Sequence, residues 1–196
     1  RGHDALKLAI GATDTIWDAA TRVPLRMWGA GVKAPGTVAS ATIAAGSAGE
    51  LLRQHVGVLA PGSAAEDFVL VGNDLSAGIR SVGFRQHYRG RPVLGGQVSF
   101  RFKADRLVAL GSEALPDVQA TLTSAPIDVA TAQARAQADV LGVAAEASAG
   151  AVEGPFILPI VDDGGVRSYR EVLRVTVDAS RPIGRFAVYL DAATGE

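Results

Sequence analysis

Between Leu94 and Lys103 the side chains alternate in character, with Val98, Phe100 and Phe102 on one parity and Ser99, Arg101 and Lys103 on the other. A period of two specifies a strand with one face in a core and the other in water. The same alternation recurs over Phe68 to Val71, Ile79 to Tyr88 and Arg106 to Leu110. The middle of the chain is therefore predicted to be consecutive antiparallel strands, with Ala104-Asp105 as a tight hairpin turn. Such a sheet needs a cover on its apolar side. Ser47-Ala48-Gly49-Glu50 has capping-box spacing ahead of Leu51 and Leu52, which predicts a helix running to about Gly57. Its start is left open, because Ala41 to Ala45 favour helix while Gly46 and Gly49 each cost about 1 kcal/mol relative to Ala.

Upstream, β-prone runs at Ile16-Trp17 and Val23 to Trp28 flank Asp18 to Arg22 and predict an edge hairpin, with Pro24 keeping one side unpaired. Gly29, Gly31, Pro35 and Gly36 follow closely, so this stretch is expected to be a connector. Downstream, Leu115 to Pro126 is turn-rich and reads as a linker. Asp128 is then a suitable N-cap for a helix whose Val129, Ala132, Ala136, Val140 and Val143 share one face. Strands are expected at Val152 to Val161, Tyr169 to Asp178 and Ile183 to Asp191. The pattern of a helix followed by antiparallel strands thus occurs twice. The expectation is an α+β chain of two tandem half-domains, each a helix packed on an antiparallel sheet in cystatin-like fashion, preceded by a hairpin extension. The boundaries follow as an extension over 1–46, a first domain over 47–115, a linker over 116–127 and a second domain over 128–196.

Composition narrows the function classes. Of 196 residues, 48% are hydrophobic, enough to bury a substantial core, and 19 Lys plus Arg against 20 Asp plus Glu leave a net charge of -1. That balance gives no general field for polynucleotides or anionic membranes. Mean hydropathy is +0.21, yet Gly or charge interrupts every apolar run before the roughly 18 residues of a membrane span. The absence of cysteine removes disulfides, thiolate metal ligands and a thiol nucleophile. A first residue of Arg1 rather than Met suggests trimming or processing, so any signal peptide would already be gone and export is allowed.

No motif for chemistry emerges. His3, His55 and His87 are scattered, and no H-E-x-x-H, G-x-S-x-G or Walker string is present. Gly29-Ala30-Gly31 does not complete a dinucleotide fingerprint. Asp162-Asp163, followed by Gly164-Gly165, reads as a turn rather than a calcium loop. Arg85, Arg89, Arg91 and Arg101 fall on or near neighbouring strands, where they form either a solvated face or a row able to meet acidic groups on a partner protein. No catalytic, cofactor-binding or metal-ligating residue is expected, and the chain is not expected to be an enzyme.

Two strings carry a resemblance. In Phe84-Arg85-Gln86-His87-Tyr88-Arg89-Gly90-Arg91-Pro92-Val93-Leu94-Gly95-Gly96-Gln97-Val98, the residues Gln86, Tyr88, Gly90, Pro92, Val93, Gly95 and Val98 resemble the core of the fungalysin/thermolysin propeptide domain. Arg91 and Leu94 depart from its usual aliphatic and aromatic residues. The closing Tyr189-Leu190-Asp191-Ala192-Ala193-Thr194-Gly195-Glu196, with the strand from Tyr169 to Val175, is similar to a PepSY domain. Together the matches span about residues 47 to 196.

The resemblance implies the prodomain of a secreted zinc metallopeptidase, an intramolecular chaperone and inhibitor that covers the active-site cleft until cleaved. The partner would be the cognate catalytic domain, in cis or bound non-covalently after cleavage, with zinc and calcium belonging to that partner and no cofactor in this chain. A stand-alone secreted or periplasmic PepSY-type inhibitory or protein-binding module is the alternative. Precursors of this family continue past the PepSY strand into the peptidase, so the tail from Asp191 to Glu196 is expected to point toward the cleft. Arg89, Arg91, Tyr189, Asp191, Thr194, Gly195 and Glu196 are the expected partner contacts, with core packing the competing role for Tyr189.

Overall fold

A computed structural model describes residues 2–196 as a mixed α+β chain that divides into two compact units. The first comprises residues up to Gly90 together with Gly95–Val118, and the second comprises Arg91–Leu94 with Gln119–Glu196.

In the first unit, helix α1 (Gly2–Ile10) is followed by strands β1 (Ala12–Trp17) and β2 (Pro24–Lys33), helix α2 (Ala41–Leu59) and strands β3 (Phe68–Ser76), β4 (Ile79–Tyr88), β5 (Arg91–Lys103) and β6 (Arg106–Ser112). The pairing runs β1-β2-β6-β5-β4-β3, which leaves β1 and β3 as the edges. Val98, Phe100 and Phe102 are fully buried while Ser99, Arg101 and Lys103 face solvent, as the alternation requires. Ala104 and Asp105 both have positive φ, 48° and 51°, the geometry of a two-residue hairpin turn whose twist matches its strands. Phe84 packs edge-on against Phe100 with centroids 6.1 Å apart, and Ala44, Ala48 and Leu52 of α2 close the same core.

Three expectations for this region need correction. Helix α2 starts at Ala41, with Ser40 as the N-cap accepting a hydrogen bond from the Ile43 amide at 3.3 Å. The Ser47–Glu50 spacing begins about two turns inside the helix, where Glu50 instead accepts from Arg53 and Gln54. The stretch with Gly29 and Gly31 is no connector, because β2 continues through it to Lys33 and pairs with β6 in the sheet interior. Gly31 has φ +72°, and a Cβ there would be driven into the Leu107 carbonyl, so this glycine serves a bulge with close backbone approach rather than a break. Residues 2–46 are likewise no extension, since Leu6, Ile10, Met27 and Ala44 belong to the first core. Pro24 opens β2 opposite Trp17, and the free edge of the hairpin is β1.

The second unit consists of helix α3 (Val129–Leu141) and strands β7 (Ala147–Val161), β8 (Arg167–Ser180) and β9 (Ile183–Asp191), antiparallel in that order. The first residues of β5 lie parallel beside β7, with Val93 opposite Ile157. Asp128 caps α3 by accepting from the Thr131 amide at 2.9 Å, which holds its carboxyl below the usual carboxylate range. Ala132, Ala136 and Val140 are buried against Leu173, Val175, Val177 and Leu190. Val129 and Val143 are exposed, because Val143 lies past the helix end at Gly142, and Ala144 takes the buried place instead. None of the described helices is long and apolar enough to cross a membrane.

Candidate interaction surfaces

The expected contact residues fall into different environments. Arg89 sits at positive φ in the β4–β5 turn and its guanidinium lies 5.3 Å from the Tyr88 ring centroid, with the side chain exposed. Arg91 is not available in the same way. Its Nε donates to Glu171 Oε1 at 2.8 Å, and Glu171 is 4% exposed. The other carboxylate oxygen accepts from the Thr123 amide at 2.6 Å, and the Glu171 backbone carbonyl accepts from the Ala192 amide at 2.9 Å. This buried acid ties the start of β5, the segment before α3 and the end of β9 to β8. Satisfying both carboxylate oxygens is what makes its burial tolerable.

The tail does not project. The Asp191 carboxylate accepts from the Ala193 and Thr194 amides at 2.9 and 3.0 Å, the local turn that a short acidic side chain favours. The Gly195 amide donates to the Asp191 carbonyl at 2.8 Å, and the Asp191 amide donates to the Glu196 carbonyl at 2.8 Å. Residues 191–196 thereby close on themselves, and Gly195, expected as a contact, is buried against Arg135 and Ile127. Thr194 and Glu196 remain exposed. Asp191 and Thr194 line an open depression of about 490 Å³ with Thr121–Ser124 and Glu171, but its carboxylates are already bonded to backbone amides or to Arg91. Tyr189 is 38% exposed, opposite Arg174, whose guanidinium pairs with Glu153. It is an exposed residue rather than a core one.

The arginine row resolves differently from the sequence expectation. Arg91 is engaged with Glu171 in the second unit and Arg89 stacks in its turn, while Arg85 and Arg101 remain on the solvent face of the first sheet. Arg26 joins that face from β2. Its signal was the same period of two, since Arg26 and Trp28 flank buried Met27.

The three histidines lie on three different elements, α1, α2 and β4. His3 packs edge-on against Trp17 at 4.6 Å, His87 Nδ1 lies 3.1 Å from the Arg85 carbonyl, and burial pushes the His55 pKa down. Asp162 is a turn residue, its carboxylate accepting from Val166. No group of three or more His, Cys, Asp and Glu that could hold a metal ion occurs among the described residues.

One surface was not expected from the sequence. Among the described residues, strand β3 pairs only with β4, so its other side presents backbone donors and acceptors along nine residues. Val69, Leu70, Val71 and Leu75 on it are all exposed, Val71 at 53%. Of the devices that blunt a strand edge, it has a bulge between Leu70 and Gly72 but no Lys and no Pro. The expected strand ended at Val71. Asn73 extends it by donating to the Ala41 carbonyl at 2.7 Å and accepting from buried Arg80 at 3.1 Å, contacts to residues distant in sequence.

No family model matches this chain, and no curated protein matches it in sequence. Among solved structures, the Bacillus megaterium YpeB C-terminal domain is similar, with 14% identity over 92% of this chain and 77% of that one and a TM-score of 0.42.

Proposed function

We propose that this chain acts by covering another protein, as the inhibitory and chaperoning prodomain of a secreted zinc metallopeptidase of the thermolysin or fungalysin kind. On this reading the two units are its propeptide-type and PepSY-type halves, each cystatin-like. The observation that carries it is the open edge of β3, where Val69, Leu70, Val71 and Leu75 are exposed and the side away from β4 is unpaired. Three consecutive exposed apolar residues on a strand edge are a surface suited to being covered, and the outward backbone groups can accept an extended segment as an added strand. A large peptidase with many long-range pairings folds slowly, and a partner that offers a preformed edge lowers the loop-closure cost of its first strand pairing. The same covering of the finished cleft excludes substrate. Zinc, calcium and bond cleavage all belong to the partner.

The experiment is a titration of this chain into a mature thermolysin-type peptidase, with residual hydrolysis of a peptide substrate as the readout. Stoichiometric loss of hydrolysis is expected, weakened at least tenfold by Val71→Lys, which places a charge on the edge. Undiminished hydrolysis at large excess, or steady digestion of the chain as an ordinary substrate, would overturn the reading.

A further inference from the structure

The solvent face of the first sheet carries an independent feature. Strand register sets Arg101 beside Ala109, Ala109 beside Trp28 and Trp28 beside Asp14, one row across β5, β6, β2 and β1. In the neighbouring row Ser99 lies beside Gly111, and Arg26, one residue before the Met27–Leu110 pair, falls on the other side of Gly111. The two guanidinium-bearing residues therefore stand diagonally across a floor of Ala109 and Gly111, flanking a depression of about 160 Å³. Two strand spacings separate β5 from β2, about 10 Å, a gap that two arginine side chains can bridge toward one small group between them.

Neither arginine has a carboxylate partner among the described residues. The ion pairs formed there engage Arg53, Arg91, Arg174, Arg181 and Arg185 instead. Glu113, the acid at the rim of the depression, is bonded to Gln97. Exposed Trp28 adjoins the site. Arginine beside tryptophan is the composition of protein-binding hot spots, and a guanidinium fork matches a carboxylate in bidentate geometry. The acids on the same face, Asp14 and Glu113, disfavour a polyphosphate strand and leave room for an isolated carboxylate.

We propose that Arg26 and Arg101 form a receptor for an Asp or Glu side chain of a protein partner, with Trp28 packing against the partner's adjoining residue. This does not depend on the partner being a peptidase, nor on the β3 edge.

The test is heteronuclear NMR of the whole chain with a blocked tetraglutamate peptide, its tetraglutamine counterpart and a short single-stranded oligodeoxynucleotide, at physiological salt. Tetraglutamate is expected to shift the Trp28 indole and the Arg26 and Arg101 signals saturably at millimolar concentration, and tetraglutamine to leave them in place. The double variant Arg26→Gln, Arg101→Gln should weaken binding at least tenfold while keeping a native spectrum, because both side chains are exposed. Arg170→Gln, at an exposed position of β8, should bind as the parent does. Equal response to both peptides, no response to either, shifts confined to other regions, tighter binding of the oligonucleotide, or full binding by the double variant would each overturn the proposal.

Discussion

The two units bury different materials. The first core is built from Phe68, Phe84, Phe100, Phe102, Met27 and several leucines, the second mainly from Ala132, Ala136, Ala144, Val175, Val177 and Leu190. Large side chains remove much apolar area per residue, at about 25 cal/mol per Å², so the first sheet is held chiefly by its core. Alanine on α3 lets the helix lie close to its sheet but contributes little area. The second unit accordingly depends on polar ties at defined atoms, namely the Glu171 node, the Asp128 cap and the Asp191 turn. What is lost in apolar area is offset by hydrogen bonds that fix geometry, and those bonds are concentrated where the closing turn and the segment before α3 meet β8.

The strongest way to break this contrast is Phe100→Ala. It leaves a cavity at the centre of the first core, and a loss of about 3–5 kcal/mol is expected in denaturant unfolding. Both tryptophans, Trp17 and Trp28, lie in the first unit, so their fluorescence follows that unit directly. A loss under about 1 kcal/mol would mean that the aromatic cluster is not what holds the sheet. A smaller effect, about 2–3 kcal/mol, is expected of Glu171→Ala, which strands Arg91 and the Thr123 amide. The Arg91 side chain is 37% exposed and can recover some hydration, which keeps the cost below that of a fully buried pair. Amide hydrogen exchange at Ala192, which donates to the Glu171 carbonyl, reports it. Unchanged protection there would remove the polar node from the account of the second unit.

Local patterns carried much of the fold. The parity of Val98, Phe100 and Phe102, the Ala104-Asp105 turn, the Asp128 cap and the strand Ile183–Asp191 were all readable, because each depends on residues adjacent in sequence. What was not readable depends on distant partners. Gly31 breaks a strand in isolation but is required where Leu107 approaches it. The helix start at Ser40, by contrast, is a local cap to the Ile43 amide that Gly46 and Gly49 obscured. Gln86 shows the same limit inside the first resembling string. It is buried and bonds to Ser63 and to Leu115, and a Cβ on Gly96 would come within 2.5 Å of its side-chain oxygen. The contact residues were the least legible. Arg91 was expected at a partner contact because its own partner Glu171 is eighty positions away, and the closing turn of the tail was not foreseen because it is set by the Asp191 carboxylate bonding to the Ala193 and Thr194 amides.

The claim that this chain works by offering the β3 edge to another protein is most directly tested by amide hydrogen exchange along Phe68–Ser76, measured on the chain alone and with a thermolysin-type peptidase held inactive by removal of its zinc. The account predicts new protection at the outward-facing amides of β3 in the mixture, with the interior amides of β4 unchanged. Exchange along β3 that stays the same in a mixture shown to contain the complex would contradict it.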